Sequence, residues 1–122
     1  MESRFKRKPL LARPFIATRV AFAGLAAALR HEVPFRMELA AAVVLIPAAF
    51  LLEAGAIERA LLVGSVLLVL VVELLNSAIE TTLDRISLEE HTLVRRAKDI
   101  SSAAVLMAMV SAATVWALLL FT

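Results

Sequence analysis

The segment Glu73-Leu74-Leu75-Asn76-Ser77-Ala78-Ile79-Glu80 places two carboxylates and an amide inside a run with the composition of a membrane-spanning helix. At about 100° per residue, Glu73, Asn76, Ser77 and Glu80 fall within an arc of roughly 100°, and Asp84 extends the stripe. Val69, Val71, Val72, Leu74, Leu75 and Ile79 surround it. Ionisable groups at membrane depth are costly, so they normally face a bundle interior and mark a functional path. A purely structural polar seam between packed helices is the alternative use of such a stripe.

Depth gathers further charges at the same level. Counted from Glu58 at about 1.5 Å per residue, Glu73 lies roughly 22 Å along its helix and Glu80 roughly 33 Å, against a hydrocarbon core of about 30 Å. Glu32 and Glu38 flank the inner start of one span, and Lys98 and Asp99 the inner start of another. A proton-coupled transporter would place its carboxylate nearer the midplane. Carboxylates displaced to one face and mixed with Lys and Arg suit phosphoryl transfer better. That reaction needs hard oxygen ligands for Mg²⁺, a base for an acceptor hydroxyl, and cations for phosphate charge. The acceptor would be a lipid, because the site opens on the headgroups. No Gly-x-x-x-x-Gly-Lys-Ser/Thr loop occurs, so neither a P-loop nor a protein-kinase scaffold is available.

The elements that must position these groups follow from composition. With 122 residues, 61% of them hydrophobic, and a mean hydropathy of +0.88, the chain belongs to the helical membrane class and is expected to form one domain, residues 1–122. It has no cysteine, which excludes disulfides and a Cys-based zinc site. Its basic clusters lack the stacking aromatics of a nucleic-acid binder, with one Trp and no Tyr. Three spans are expected at 35–52, 57–84 and 100–121, with Pro34 in the first turn of the first and Pro47 kinking it. Gly55 is expected to stop that helix. Basic clusters at Arg4–Arg19 and Arg85–Lys98 place the N-terminus and the second connection in the cytoplasm, and the C-terminus outside. Residues 14–31 form an interfacial amphipathic helix in this scheme: Phe15, Phe22, Leu25 and Leu29 share a face, with Arg19 and Arg30 beside it. A secretory signal is disfavoured there by Arg13 and Arg19, which interrupt the apolar region. Small residues such as Ser101, Ser102, Ala104 and Ala108 suit close helix packing, and Trp116 an aromatic belt.

Taken together, Glu73-Leu-Leu-Asn-Ser-Ala-Ile-Glu80, Asp84-Arg85, His91, Arg96-Ala-Lys98-Asp99 and Ser102-Ala-Ala-Val-Leu106 resemble the prokaryotic diacylglycerol kinase family. Gly24-Leu25, Glu32 and Phe35-Arg36-x-Glu38 extend the resemblance over about residues 13–122. It implies an all-α, three-span lipid kinase of the bacterial inner membrane, working as a homotrimer with active sites shared between subunits. By position, Glu73 resembles the base that accepts the lipid hydroxyl proton, supported by Asn76. Glu32 and Glu80 resemble ligands of the magnesium of ATP. Lys98 and Asp99 resemble nucleotide contacts, with Glu89, Glu90 and His91 in a covering loop. Arg13, Phe35, Glu38 and Ser102 resemble lipid-side contacts. The chain departs from the family at Val20, which replaces a tyrosine on the nucleotide side, and at Phe22 and Ala23. A branch of the family phosphorylates undecaprenol, but Phe35-Arg36-Met37-Glu38 and Asp84-Arg85-Ile86 look closer to the diacylglycerol branch. A small proton-coupled transporter and a non-catalytic membrane adaptor are the rivals from other classes.

Overall fold

Residues 9–86 and 91–122 are described by a computed structural model. The chain is all-α and divides into two compact units, Met1–Glu32 and Val33–Thr122. In the first, a short 3₁₀ turn at Leu10–Ala12 leads into α1, Arg13–His31. Pro14 sits in the first turn, where its missing N–H costs nothing. Glu32 leaves helical geometry and closes α1 by donating its backbone N–H to Ala28 O at 2.9 Å. Phe15, Phe22, Leu25 and Leu29 are all solvent-exposed, as an apolar face waiting for lipid would be. Length and composition would also let Leu10–His31 cross a membrane, so the described chain holds four such helices rather than the three expected. The count differs because Arg13, Arg19 and Arg30 are spread along the helix and leave an apolar window between them.

The second unit contains α2 (Val33–Leu51), α3 (Ala56–Ile86) and α4 (Thr92–Phe121), with α3 packed on both neighbours. The buried positions reveal how the helices meet. On α2 they are Phe35, Ala42 and Ala49; on α3, Leu62, Val66, Val69, Glu73 and Asn76, with Ser77; on α4, Ser101 and Ala108. Steps of seven, or of four and three, keep one narrow seam facing a partner, the geometry of nearly parallel or antiparallel packed helices. Small residues on the α2 and α4 seams let the backbones approach. Most other positions on these helices are exposed and the rest half-buried, which in a bilayer presents much of their surface to lipid or to other protein.

Two boundaries differ from the sequence expectation. α4 starts at Thr92, ahead of Ile100, because charge ends an apolar window without breaking backbone hydrogen bonding; Arg95, Arg96, Lys98 and Asp99 are all helical. Gly55 stands at the entry of α3 rather than stopping α2. Its N–H donates to Glu58 Oε2 at 3.3 Å, the backbone half of a capping box, and its carbonyl accepts the first helical bond from Arg59 N at 2.9 Å. α2 runs on through Pro47 to Leu51.

The last carbonyls of a helix have no partner within it, and lipid cannot supply one. Arg59 does so here. Its Nε donates to Ala49 O at 3.2 Å and its Nη2 to Leu52 O at 3.1 Å, while the guanidinium lies 5.8 Å from the Phe50 ring centre. Arg59→Ala should therefore destabilise the folded protein by about 1–3 kcal/mol, read from denaturant unfolding in micelles, with Arg59→Lys recovering only part because one ammonium cannot span both carbonyls in a fork.

Candidate active site

The C-terminal half of α3 continues the line that buries Leu62, Val66 and Val69, but there the residues turn polar. Glu73 is 3% exposed, and Asn76 and Ser77 are buried beside it. The helical phase of the sequence stripe thus coincides with the packed seam, and the stripe points inward.

Two of these side chains are tied to the α4 side. The Ser101 hydroxyl, itself buried, donates across the helix interface to the Asn76 side-chain oxygen. Asn76 Nδ2 donates in turn to Glu80 Oε1, one turn further along α3, at 3.4 Å. Glu80 is half-buried. Beyond it, Lys98 Nζ donates to Asp84 Oδ1 at 2.6 Å, joining α3 to α4 between two rather exposed side chains. His91 stands before α4, where its Nδ1 accepts from Leu93 N at 3.2 Å and caps the helix.

On α2, Phe35 is 1% exposed and anchors the start of the helix, and Glu38 lies one turn later within electrostatic reach of Glu73. Glu38 Oε2 and Ser77 Oγ are both buried without a hydrogen-bond partner among the described residues. Buried polar atoms are nearly always paired. Two unpaired ones on the Glu73 flank are where a ligand hydroxyl or carbonyl would be accommodated.

Asp99 and Ser102 are exposed on α4, and Arg13 is exposed at the start of α1. Glu32 ends α1 in the first unit. Glu89 and Glu90 lie outside the described residues. Ser101 is the functional-looking residue that sequence reasoning assigned to packing alone; its spacing of seven from buried Ala108 was the available signal.

Among the described residues no three acidic, His or Cys side chains gather as a metal cage. Magnesium does not ask for one: it takes one or two carboxylates and completes its shell with water and substrate phosphates. A half-buried carboxylate such as Glu80, already oriented by an amide, fits that need.

The Asp84–Lys98 pair is exposed enough for water and salt to screen it. Asp84→Asn should lower stability by less than about 1 kcal/mol in chemical unfolding; a much larger loss would show that the pair holds α3 and α4 together.

Residues 19–120 match the model of a family described as prokaryotic diacylglycerol kinase. The chain is similar to the diacylglycerol kinase of Pseudomonas aeruginosa, 49% identical over 118 residues that cover 97% of this chain and 96% of that one. It is 48% identical over 99 residues to that of Escherichia coli K12, 81% of each chain, and 46% identical over 105 residues to that of Haemophilus influenzae, 86% of this chain and 89% of the relative.

Proposed function

The chain belongs to the prokaryotic diacylglycerol kinase family, and from that premise we propose that it transfers the γ-phosphoryl group of ATP to the free hydroxyl of diacylglycerol. The single observation that carries the mechanism is Glu73, a carboxylate buried on the inward seam of a membrane helix. A group so expensive to bury is kept there for proton or charge chemistry.

Glu73 accepts the proton of the lipid hydroxyl as the hydroxyl oxygen bonds to the γ-phosphorus. The bond from that phosphorus to the β,γ-bridging oxygen breaks, ADP leaves with the bridging oxygen, and phosphatidic acid is formed. Nothing covalent forms with the protein, so its contribution is positioning and electrostatics. Glu38 and Ser77, with their unpartnered buried oxygens, orient the glycerol end of the lipid beside Glu73. Phe35 shapes the same flank, and the family resemblance adds Arg13 and Ser102 to the lipid side. Lys98 holds phosphate charge, released from Asp84 when nucleotide arrives, and Asp99, His91, Glu89 and Glu90 serve the nucleotide. Glu80 would hold the magnesium of ATP, and the resemblance gives Glu32 the same task. When bound, that ion neutralises charge on the β- and γ-phosphates.

The setting follows from the same reading. α2, α3 and α4 span a bacterial inner membrane with the N-terminus in the cytoplasm and the C-terminus outside, and α1 lies in the cytoplasmic headgroup plane. The large exposed apolar surface of the second unit suits assembly as a homotrimer with shared active sites.

Glu73→Gln should cut turnover by at least about a hundredfold, as loss of a general base does, while helicity and oligomeric size stay those of the parent. The readout is radiolabelled phosphate transfer from Mg-ATP in lipid micelles, with diacylglycerol and undecaprenol offered side by side. Undecaprenyl phosphate as the main product would keep the mechanism and replace the substrate. No product with either lipid, together with a folded and equally stable Glu73→Gln protein, would return the carboxylate stripe to a transport path.

A further inference from the structure

Hydroxyls in membrane helices usually turn back on their own backbone, and this chain follows the habit: Thr18 bonds Pro14 O, Thr81 bonds Ser77 O, Thr82 bonds Ala78 O and Thr114 bonds Val110 O. Ser101 breaks it. Its buried hydroxyl crosses from α4 to the side-chain oxygen of Asn76 on α3.

An Asn side chain offers an acceptor oxygen and a donor nitrogen of nearly the same shape, so only its partners set its orientation. A serine hydroxyl can donate or accept, so the acceptor-only Glu80 carboxylate selects the amide's orientation, and Ser101 pins the far end of the side chain in place. Reversed, the amide would aim its oxygen at a carboxylate, and the two would repel. We propose that Ser101 is a positioning residue, which acts through Asn76 to aim the Glu80 carboxylate toward the magnesium of the nucleotide. The relay Ser101–Asn76–Glu80 runs from the buried seam outward to a half-buried carboxylate. It is a chain of donors in one direction, each bond polarising the next. It rests on Glu80 serving the metal, as set out above.

Hydrogen bonds that orient metal-binding carboxylates commonly change metal affinity by about ten- to a hundredfold when removed. Ser101→Ala should thus weaken Mn²⁺ binding by about tenfold, measured by electron paramagnetic resonance on purified protein with a non-hydrolysable ATP analogue. The Mg²⁺ concentration for half-maximal kinase activity should rise in proportion, and the KM for diacylglycerol should not move. Adding Ser101→Ala to Asn76→Ala should have no further effect on Mn²⁺ affinity. An Ala variant that is folded and binds Mn²⁺ as the parent does overturns the proposal, as does a change confined to the lipid KM. If the Ala variant fails to fold, Ser101→Cys decides, since it keeps the volume with a weaker donor; parental Mn²⁺ affinity there overturns the relay equally. A parent protein that needs no divalent cation would instead remove the role of Glu80, and that outcome is visible before any variant is made.

Discussion

A membrane interior offers no water to a polar group, so each one must be paired within the protein or kept for use. α3 is organised by that constraint. Its one inward seam is apolar from Leu62 to Val69 and polar from Glu73 to Ser77, without a change of helical phase. The packing that holds α2 and α4 against α3 therefore also shields the carboxylate from lipid. At about 1.5 Å per residue, the 31 residues of α3 extend roughly 46 Å, well beyond a hydrocarbon core of about 30 Å. One helix can thus carry a buried carboxylate and, further along the same stripe, the half-buried Glu80 and the exposed Asp84.

What could be read without the structure was whatever leaves a periodic trace. The stripe from Glu73 to Asp84 announces its face because polar residues stand out against Val and Leu at a helical repeat. The seam of α2 is a heptad of Phe35, Ala42 and Ala49, yet the helix is apolar nearly all round, so no face is distinguished by hydropathy. α4 has the same problem. Ser101 and Ser102 are adjacent in sequence and about 100° apart on the helix; rotation alone makes one a buried partner of Asn76 and leaves the other exposed.

Charges at helix ends were harder to assign than charges inside. Arg59 stands among the loop charges in the sequence, but its guanidinium returns to carbonyls seven and ten residues earlier, a contact created by the turn itself. Trp116 suits an aromatic belt by position, and its indole N–H also reaches Leu62 O on α3 at 3.2 Å. α4 begins ahead of the apolar span expected from Ile100 because hydropathy measures only where a helix can meet lipid. Helicity needs only backbone pairing and a cap, and His91 provides the cap at Leu93.

The polar links between α3 and α4 are poor candidates for stabilising the bundle by their energy. Side-chain hydrogen bonds inside membrane proteins average only about 0.6 kcal/mol, and the exposed Asp84–Lys98 pair falls in the same range or below. Most of the cohesion must come from seam packing, and small residues at Ala42, Ala49 and Ala108 supply it without polar atoms. An apolar pair in place of Ser101 and Asn76 would hold two helices together as well. What an apolar pair could not do is hold an amide with its nitrogen toward Glu80. On the proposal above, the polarity retained at this depth serves direction rather than strength: the acceptor-only Glu80 carboxylate holds the amide nitrogen toward itself, and Ser101 anchors the other end.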